Sequence, residues 1–416
     1  MGQSVMDRRV RARRRAVRYP ASVRDLMRRM EEGQAVVAGV LSGTSGDGID
    51  VGLARFAVRR GEHAFRLWRC EPLAFETLPF PGGLAPRVRG ALDGGAAGPR
   101  EIALLGRDLG KAFGEAARAV AQKEQRTLEL VGSHGLTVYH HDGAEERGPA
   151  SLQLGDGDFV AEAAGCCVVS DFRQRDLACG GEGAPISALA DDLLFAREPR
   201  PVGVLNLGGM ANLTLLAEAG GENLSFDTGP AGSLLDGLAR RLLDAPLDRD
   251  GACAGAGRAD EEFVRACLEH PFFDRAPPRS TGRDTFGEDW LDGVCERAEA
   301  RGLWRAGGDP ADLLASAVEV VAAAVERSLA DLSEAPDRIL LAGGGVHNQA
   351  LVAALERRLG HPLETTAAAG INPDGREALV FATLAARCLL GEAVTSTAAT
   401  GAVEGRVLGK ISPPPP

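Results

Sequence analysis

Residues 36–56 read VVAGVLSGTSGDGIDVGLARF, and the fold turns on how they pair. An unbroken apolar run, 36–41, ends in Ser42, Gly43, Thr44, Ser45, Gly46, Asp47 and Gly48, and an alternating run, 49–56, starts at once. Strand, short polar loop and strand make a hairpin. Its glycines let a backbone approach a ligand closely, and its N–H groups and hydroxyls can point at phosphate oxygens. Asp47 and Asp50 add carboxylates able to hold a hydrated Mg2+. An ordinary Gly-rich hairpin carries the same signature, so the loop alone leaves both readings open.

Further along, the same opening recurs. Residues 202–207 form an apolar strand, Gly208 and Gly209 a turn, and 211–216 and 224–226 two more strands. Two halves that open alike predict a duplicated α/β domain around a cleft. Between them, 65–75 reads as a third strand, 79–99 as Pro/Gly-rich loop and 101–126 as a helix with Ile102, Leu105, Leu109 and Phe113 on one face. A short buried strand, 128–133, is expected to end in a His134-Gly135 turn. Another, 166–170, runs into DFRQRD, which contains Arg173 and Asp176, and then into the glycines around Gly181 and Gly183. Asp227, Thr228 and Gly229 read as a turn after a strand. Helices are expected at 158–164, 187–195, 311–332 and 377–390, with a buried strand at 338–341 running into Gly343, Gly344 and Gly345. Gly-rich turns at strand ends are where open α/β sheets bind ligands.

Composition narrows the class. At 416 residues the chain exceeds one ordinary core. A net charge of −11 argues against nucleic acid or an anionic membrane as the main partner. The eight cysteines include no C-x-x-C, and the adjacent Cys166 and Cys167 read as core. A reducing, cytoplasmic setting follows. No apolar run is long enough to span a membrane. Residues 1–33 are basic and are expected to form a disordered arm, so a chain begun at Gly33 should fold. The first domain is then 34–198, the second 199–376, and 377–416 a closing helix and tail that return to the first domain.

The ordered motifs SGTSGDGID from Ser42, GSHG from Gly132, LQLGD from Leu152 and DFRQRDLACGGEGAP from Asp171 are joined by NLGGMANLT from Asn206, FDTGP from Phe226 and PPRSTGRDTFG from Pro277. GGGVHN from Gly343, NPDGREALVFA from Asn372 and TGA…VLGKI from Thr400 complete the set. Over residues 36–411 the chain resembles the 1,6-anhydro-N-acetylmuramic acid kinases of cell-wall recycling. That resemblance implies an actin-like ATPase: two ribonuclease-H-like domains around a central cleft that holds ATP and Mg2+. It implies that the Ser42–Gly48 hairpin and Asn206, Gly208 and Gly209 are the two phosphate turns. Asp227, Thr228, Gly229, Gly343, Gly344, Gly345 and Asn348 would line the nucleotide site. Asp176 would be the catalytic base, and Glu319, with Asp47, would lie near the metal. His134, Arg173, Gly181, Gly183 and Arg283 are the candidates for contacting the sugar; for Arg173, Arg283 and His134, plain structural roles are equally open.

The chemistry implied is ATP-dependent opening of the 1,6-anhydro bridge with phosphorylation at O6. A carboxylate suits the first half, because it can take a proton from the attacking water. Taken by itself, Asp176 also fits a salt bridge to Arg173 or Arg175. Departures from the family pattern fall at Leu41, Gly46, Leu136, Glu182 and Gly232; Leu136 and Glu182, close in sequence to candidate sugar-binding motifs, bear on sugar specificity more than on ATP use. A kinase for another anhydro- or amino-sugar, or a catalytically impaired sugar- or nucleotide-binding regulator, are the alternatives. A homodimer is left open.

Overall fold

The computed structural model describes residues 21–43, 46–61, 64–92, 98–141, 148–218, 221–277, 279–282, 284–305, 307–332, 336–395 and 397–415. The first unit runs α1 (Ala21–Glu31), β1 (Ala35–Ser42), β2 (Ile49–Arg60), β3 (Phe65–Leu78), α2 (Leu84–Leu92), α3 (Pro99–Lys123), β4 (Leu130–His141), β5 (Ala150–Leu154), α4 (Gly157–Ala164), β6 (Cys167–Ser170), α5 (Gln174–Leu177) and α6 (Ala188–Leu194). β1 is buried at every position. A strand covered on both faces has no polar side to alternate with, which is why its sequence is continuously apolar. It pairs antiparallel with β2 and parallel with β4; β2 pairs antiparallel with β3, and β4 parallel with β6.

The second unit repeats this plan with β7 (Val202–Leu207), β8 (Met210–Leu216), β9 (Leu224–Pro230), α7 (Gly232–Leu242), α8 (Ala252–Ala256), α9 (Glu261–Cys267), α10 (Glu288–Ala300), α11 (Ala311–Ala330), β10 (Arg338–Ala342), α12 (Gln349–Leu359) and β11 (Glu364–Thr365). Its sheet order is β11-β10-β7-β8-β9, against β6-β4-β1-β2-β3 in the first. Each is an antiparallel meander of three strands with two parallel strands added beside the first, the ribonuclease-H-like arrangement. The chain then re-enters the first unit through α13 (Arg376–Leu390), α14 (Thr397–Thr400) and β12 (Lys410–Ser412), and β12 pairs antiparallel with β6.

α13 lies directly on the first sheet. Gly39 of β1 and Gly132 of β4 are register neighbours. A Cβ on Gly39 would fall 1.6 Å from the Ala378 carbonyl oxygen, and one on Gly132 2.1 Å from that of Phe381. No side chain fits there, so the helix backbone seats on bare strand backbone. One hydrophobic cluster joins Ala378, Val380 and Ala385 of α13 and Leu189 of α6 to Val202, Val204, Leu216 and Leu340 of the second sheet. Arg376 and Asp191, both nearly inaccessible to solvent, form an ion pair within this seam.

Several expectations are corrected. Residues 21–31, assigned to a disordered arm, form α1. Leu26 and Met30, four apart, share one helix face and are buried at 2% and 0% exposure, a stripe masked by the surrounding arginines. The basic residues 1–20 lie outside the described residues. His134 and Gly135 do not end a strand: β5, which sequence reading passed over, pairs with β4 from Leu136 to His141 and extends it. Asp227, Thr228 and Gly229 lie inside β9, and the loop at 79–99 contains α2. Cys166 and Cys167 are buried and all eight cysteines are free. Among the described residues, no helix is long and apolar enough to cross a membrane.

Candidate active site

The first turn joins β1 to β2. Ser42 is buried, Asp47 is exposed, and Gly46 N–H closes the turn on the Gly43 carbonyl at 3.0 Å; Thr44 and Ser45 lie outside the described residues. Asp50, the second residue of β2, accepts a hydrogen bond from Thr77 Oγ1 at 2.6 Å. Burial pushes its carboxyl up to about 6, with Asp47, Glu377 and Asp374 adding to the rise. Glu377 of α13 and Asp374 just before it thus lie within electrostatic reach of Asp50.

The second turn, Gly208-Gly209, is pinned to the first turn of α7. The N–H groups of Ala231 and Ser233 donate to the Gly209 carbonyl at 3.0 Å, and that of Gly232 to Gly208 at 2.9 Å. Asp236 projects back over this junction: a Cβ on Gly232 would lie 3.2 Å from its Oδ2 and 3.0 Å from the Gly208 oxygen. Burial lifts Asp236 to about 6; Arg240 opposes the rise and Asp47 adds to it. Asp47 of the first unit thus lies within electrostatic reach of Asp236 of the second. The third turn packs on the second. Gly343 has φ +82°, and a Cβ there would lie 2.8 Å from the Leu207 carbonyl oxygen and 3.0 Å from Asn206 Oδ1. Gly344 and Gly345 open a short 3-10 turn. His347 beside them lies 3.0 Å from both oxygens of Asp374.

The strand β6 delivers the next group. Beyond it, Arg173 Nη1 donates to the Gly183 carbonyl at 2.8 Å and Nη2 meets His134 Nε2 at 3.3 Å. Arginine can only donate, so His134 Nε2 accepts and its proton sits on Nδ1. The ring stacks on Phe381 with centroids 4.0 Å apart. Burial, with Arg173 next, holds the imidazole well below its usual pKa, hence neutral. His134 Nδ1 and Arg173 Nε are buried and find no protein partner among the described residues. Such orphaned donors fit a polar ligand better than a finished core.

Asp176 on α5 has no solvent exposure. Its Oδ2 accepts from Gly183 N–H at 2.8 Å and its Oδ1 from Thr400 Oγ1 at 2.6 Å. Burial raises its pKa; those two bonds and Arg173 act the other way. Gly181 is fitted to it: a Cβ there would fall 2.2 Å from Asp176 Oδ2. From the second unit, Asp227 is buried, accepts from Thr281 N–H at 2.8 Å, and is pushed up to about 7 by burial. Arg173 feels the charges of Glu377, Asp227 and Asp176. Glu182 crosses between the units, hydrogen-bonded by Ser280 Oγ and 3.8 Å from Arg275 Nη2.

A model of one protein family, "Anhydro-N-acetylmuramic acid kinase", matches residues 35–414. The chain belongs to the anhydro-N-acetylmuramic acid kinase family. A family relative from Xanthomonas oryzae pv. oryzae (strain MAFF 311018) is 40% identical over 385 residues, 90% of this chain and 96% of its own. Another, from Salinibacter ruber, is 37% identical over 393 residues, 91% and 96% of the two chains. Among solved structures, a ROK family glucokinase from Streptomyces griseus in complex with glucose and AMPPNP aligns with a TM-score of 0.36 at 16% identity, covering 85% of this chain and all of that one.

Within this family frame, not every candidate reaches the site. Glu319 is buried on α11 with one oxygen held by Arg357 and the other by Arg358 at 2.6 Å. That is an ion-pair cluster between α11 and α12, which leaves the carboxylate poorly placed for a metal. Asn348 caps α12, its Oδ1 accepting from Leu351 N–H at 3.0 Å. Thr228 Oγ1 donates to the Ala211 carbonyl at 3.2 Å within the sheet. Leu136 is wholly buried in the first core, so this departure concerns packing. Arg283 lies outside the described residues. Sequence reasoning missed Asp236, Glu377 and Thr400 as site residues. Glu377 and Thr400 stand inside quoted motifs, and Asp236 is four residues into a helix that opens at Gly232, one turn from the glycine pair.

Proposed function

We propose that the chain is an ATP-dependent sugar kinase that opens 1,6-anhydro-N-acetylmuramic acid with water and phosphorylates it at O6. The observation that carries this reading is Asp176, a carboxylate fixed by Gly183 and Thr400 and set beside Arg173 where the two units meet. Asp176 takes a proton from water as the water oxygen bonds to C1. The C1–O6 bond breaks, and O6 attacks the γ-phosphorus of ATP with ADP leaving. Burial raises the basicity of Asp176, which favours this proton transfer. Arg173 and His134 Nδ1–H offer donors to the sugar's polar groups or its lactyl carboxylate. The turns at Gly43–Gly48, Gly208-Gly209 and Gly343–Gly345 offer backbone N–H groups and room for phosphates.

Among the described residues no group of three or more His, Cys, Asp or Glu is gathered closely enough to hold a bare metal ion; a hydrated Mg2+, which keeps several waters and needs only one or two protein carboxylates, would be held by Asp47, with Asp236 and Asp50 in electrostatic reach. Bound there, it would neutralise developing phosphate charge. Glu319 is left out of that set. In the setting this chemistry implies, the enzyme serves peptidoglycan recycling in the cytoplasm. The test is ADP formation with 1,6-anhydro-N-acetylmuramic acid beside glucose, N-acetylglucosamine and other anhydro-sugars. Turnover only with another sugar would overturn the assignment of substrate. Full turnover by Asp176→Asn would overturn the assignment of the base.

A further inference from the structure

Thr400 opens the TGA stretch that follows the closing helix. It is 1% exposed, at the end of α14, which packs against β9 of the second unit. Its hydroxyl donates to Asp176 Oδ1 at 2.6 Å, and its carbonyl accepts from Glu182 N–H at 2.8 Å. Just beyond, Val403 N–H donates to the Cys179 carbonyl at 3.0 Å, and Cys179 Sγ to the Glu404 carbonyl at 3.3 Å. Residues 400–404 are thus a strap tied along the turn that runs from Asp176 to Gly183.

Resting on the reading of Asp176 as the base, we infer that Thr400 is its positioning residue, fixing which carboxylate lone pair faces the reacting water. A carboxylate offers about four acceptor sites on two oxygens. Gly183 N–H occupies one on Oδ2 and Thr400 one on Oδ1, so the plane of the group cannot turn without breaking a bond to a charged acceptor. Gly181 closes one side, where not even a Cβ fits. The strap also reaches β9, which carries Asp227, so the orientation of the base is tied to the seating of the second unit.

Loss of the hydroxyl removes a bond that favours the charged form, so the base titrates higher. The other charged group acting on this carboxylate, Arg173, remains, with Asp227 and Glu377 acting on Arg173 in turn and neutral His134 bonded to it; Glu182 and Cys179 on the same turn direct their side chains to Ser280 and the Glu404 carbonyl. Thr400→Val keeps the shape and removes the donor. The acid limb of its kcat/KM profile should move up by about one to two pH units, and kcat should fall while KM for the sugar stays near wild type. Thr400→Ser, which restores the hydroxyl, should return the limb to its wild-type position. Thr400→Ala is read the same way if the valine variant melts early. An unshifted acid limb in a folded Thr400→Val or Thr400→Ala protein overturns the inference. Asp176→Asn is measured alongside. If it is inactive while the limb is unshifted, only the role of Thr400 is wrong; if it is active, the reading of Asp176 itself fails.

Discussion

Replacing Gly181 by alanine tests the site at its tightest point. The added Cβ would lie 2.2 Å from Asp176 Oδ2 and 2.7 Å from its Cγ. Ordinary contact needs about 3.5 Å, so the methyl group and the carboxylate must part by roughly 1 Å. The carboxylate cannot simply swing away, because the Gly183 N–H and Thr400 hydroxyl hold it at 2.8 and 2.6 Å. Either one of those bonds breaks or the 179–183 turn lifts and carries the carboxylate's partner with it. A misplacement of about 1 Å at a reacting group costs on the order of 10²-fold in rate, or about 2.7 kcal/mol in the barrier. The three phosphate-type turns are not touched. Initial rates of ADP formation at saturating ATP and anhydro-sugar should therefore fall about 10²-fold for Gly181→Ala, while ATP affinity by calorimetry stays near wild type. A folded Gly181→Ala enzyme with wild-type kcat would show that this carboxylate is not held where the chemistry needs it.

Other consequences are open to measurement. Removing residues 1–32 strips α1 and uncovers the sites of Leu26 and Met30, each worth about 1.5–3 kcal/mol of burial, so the shortened chain should melt well below the full one; an unchanged melting temperature would mean that α1 contributes nothing. Asp227 has its pKa raised from near 4 to about 7 in the folded state. The folded form therefore binds that proton more tightly, and stability should fall as pH rises from about 4 to about 7. Asp227→Asn should flatten that slope in thermal melts without nucleotide, and a slope equal to wild type would refute the assignment. Gly43→Val places a branched side chain in the first turn and should abolish ATP binding in a protein that still melts cooperatively. Calorimetry showing wild-type ATP affinity would remove this turn from the site.

The duplicated β-β-β opening was readable because β1 and β7 are continuous apolar runs that end at glycines, and both sheets grow from them. Asp176 and Gly181 were placed by motif, and the structure brings them into contact. Legibility failed where a residue's neighbour is distant in sequence. β4 extends past His134 only because β5 lies alongside, and neither strand signals the other. Glu319 was set near the metal by the resemblance alone, and its partners Arg357 and Arg358 of α12 lie some forty residues further on. Asp236 and Asp47 come within electrostatic reach from different units, and no local spacing encodes that. α1 was hidden because a two-residue apolar stripe among arginines has too little pattern to stand out from a basic tail.

The seating of α13 on Gly39 and Gly132 also bears on how the molecule assembles. The second unit, β7 to β11, is one continuous stretch of chain, whereas the first sheet is covered by a helix made more than 300 residues after α1 and edged by β12. During synthesis from the N-terminus, the glycine face of the first sheet has no cover until the second unit is complete. Contacts of such long sequence separation form late. Both sheets therefore wait for α13: it covers the glycine face of the first and shares one cluster with Val202, Val204, Leu216 and Leu340 of the second. Asp176, whose Oδ1 is held by Thr400, is among the last groups to reach its working position, so catalytic competence waits on residues made after the second unit.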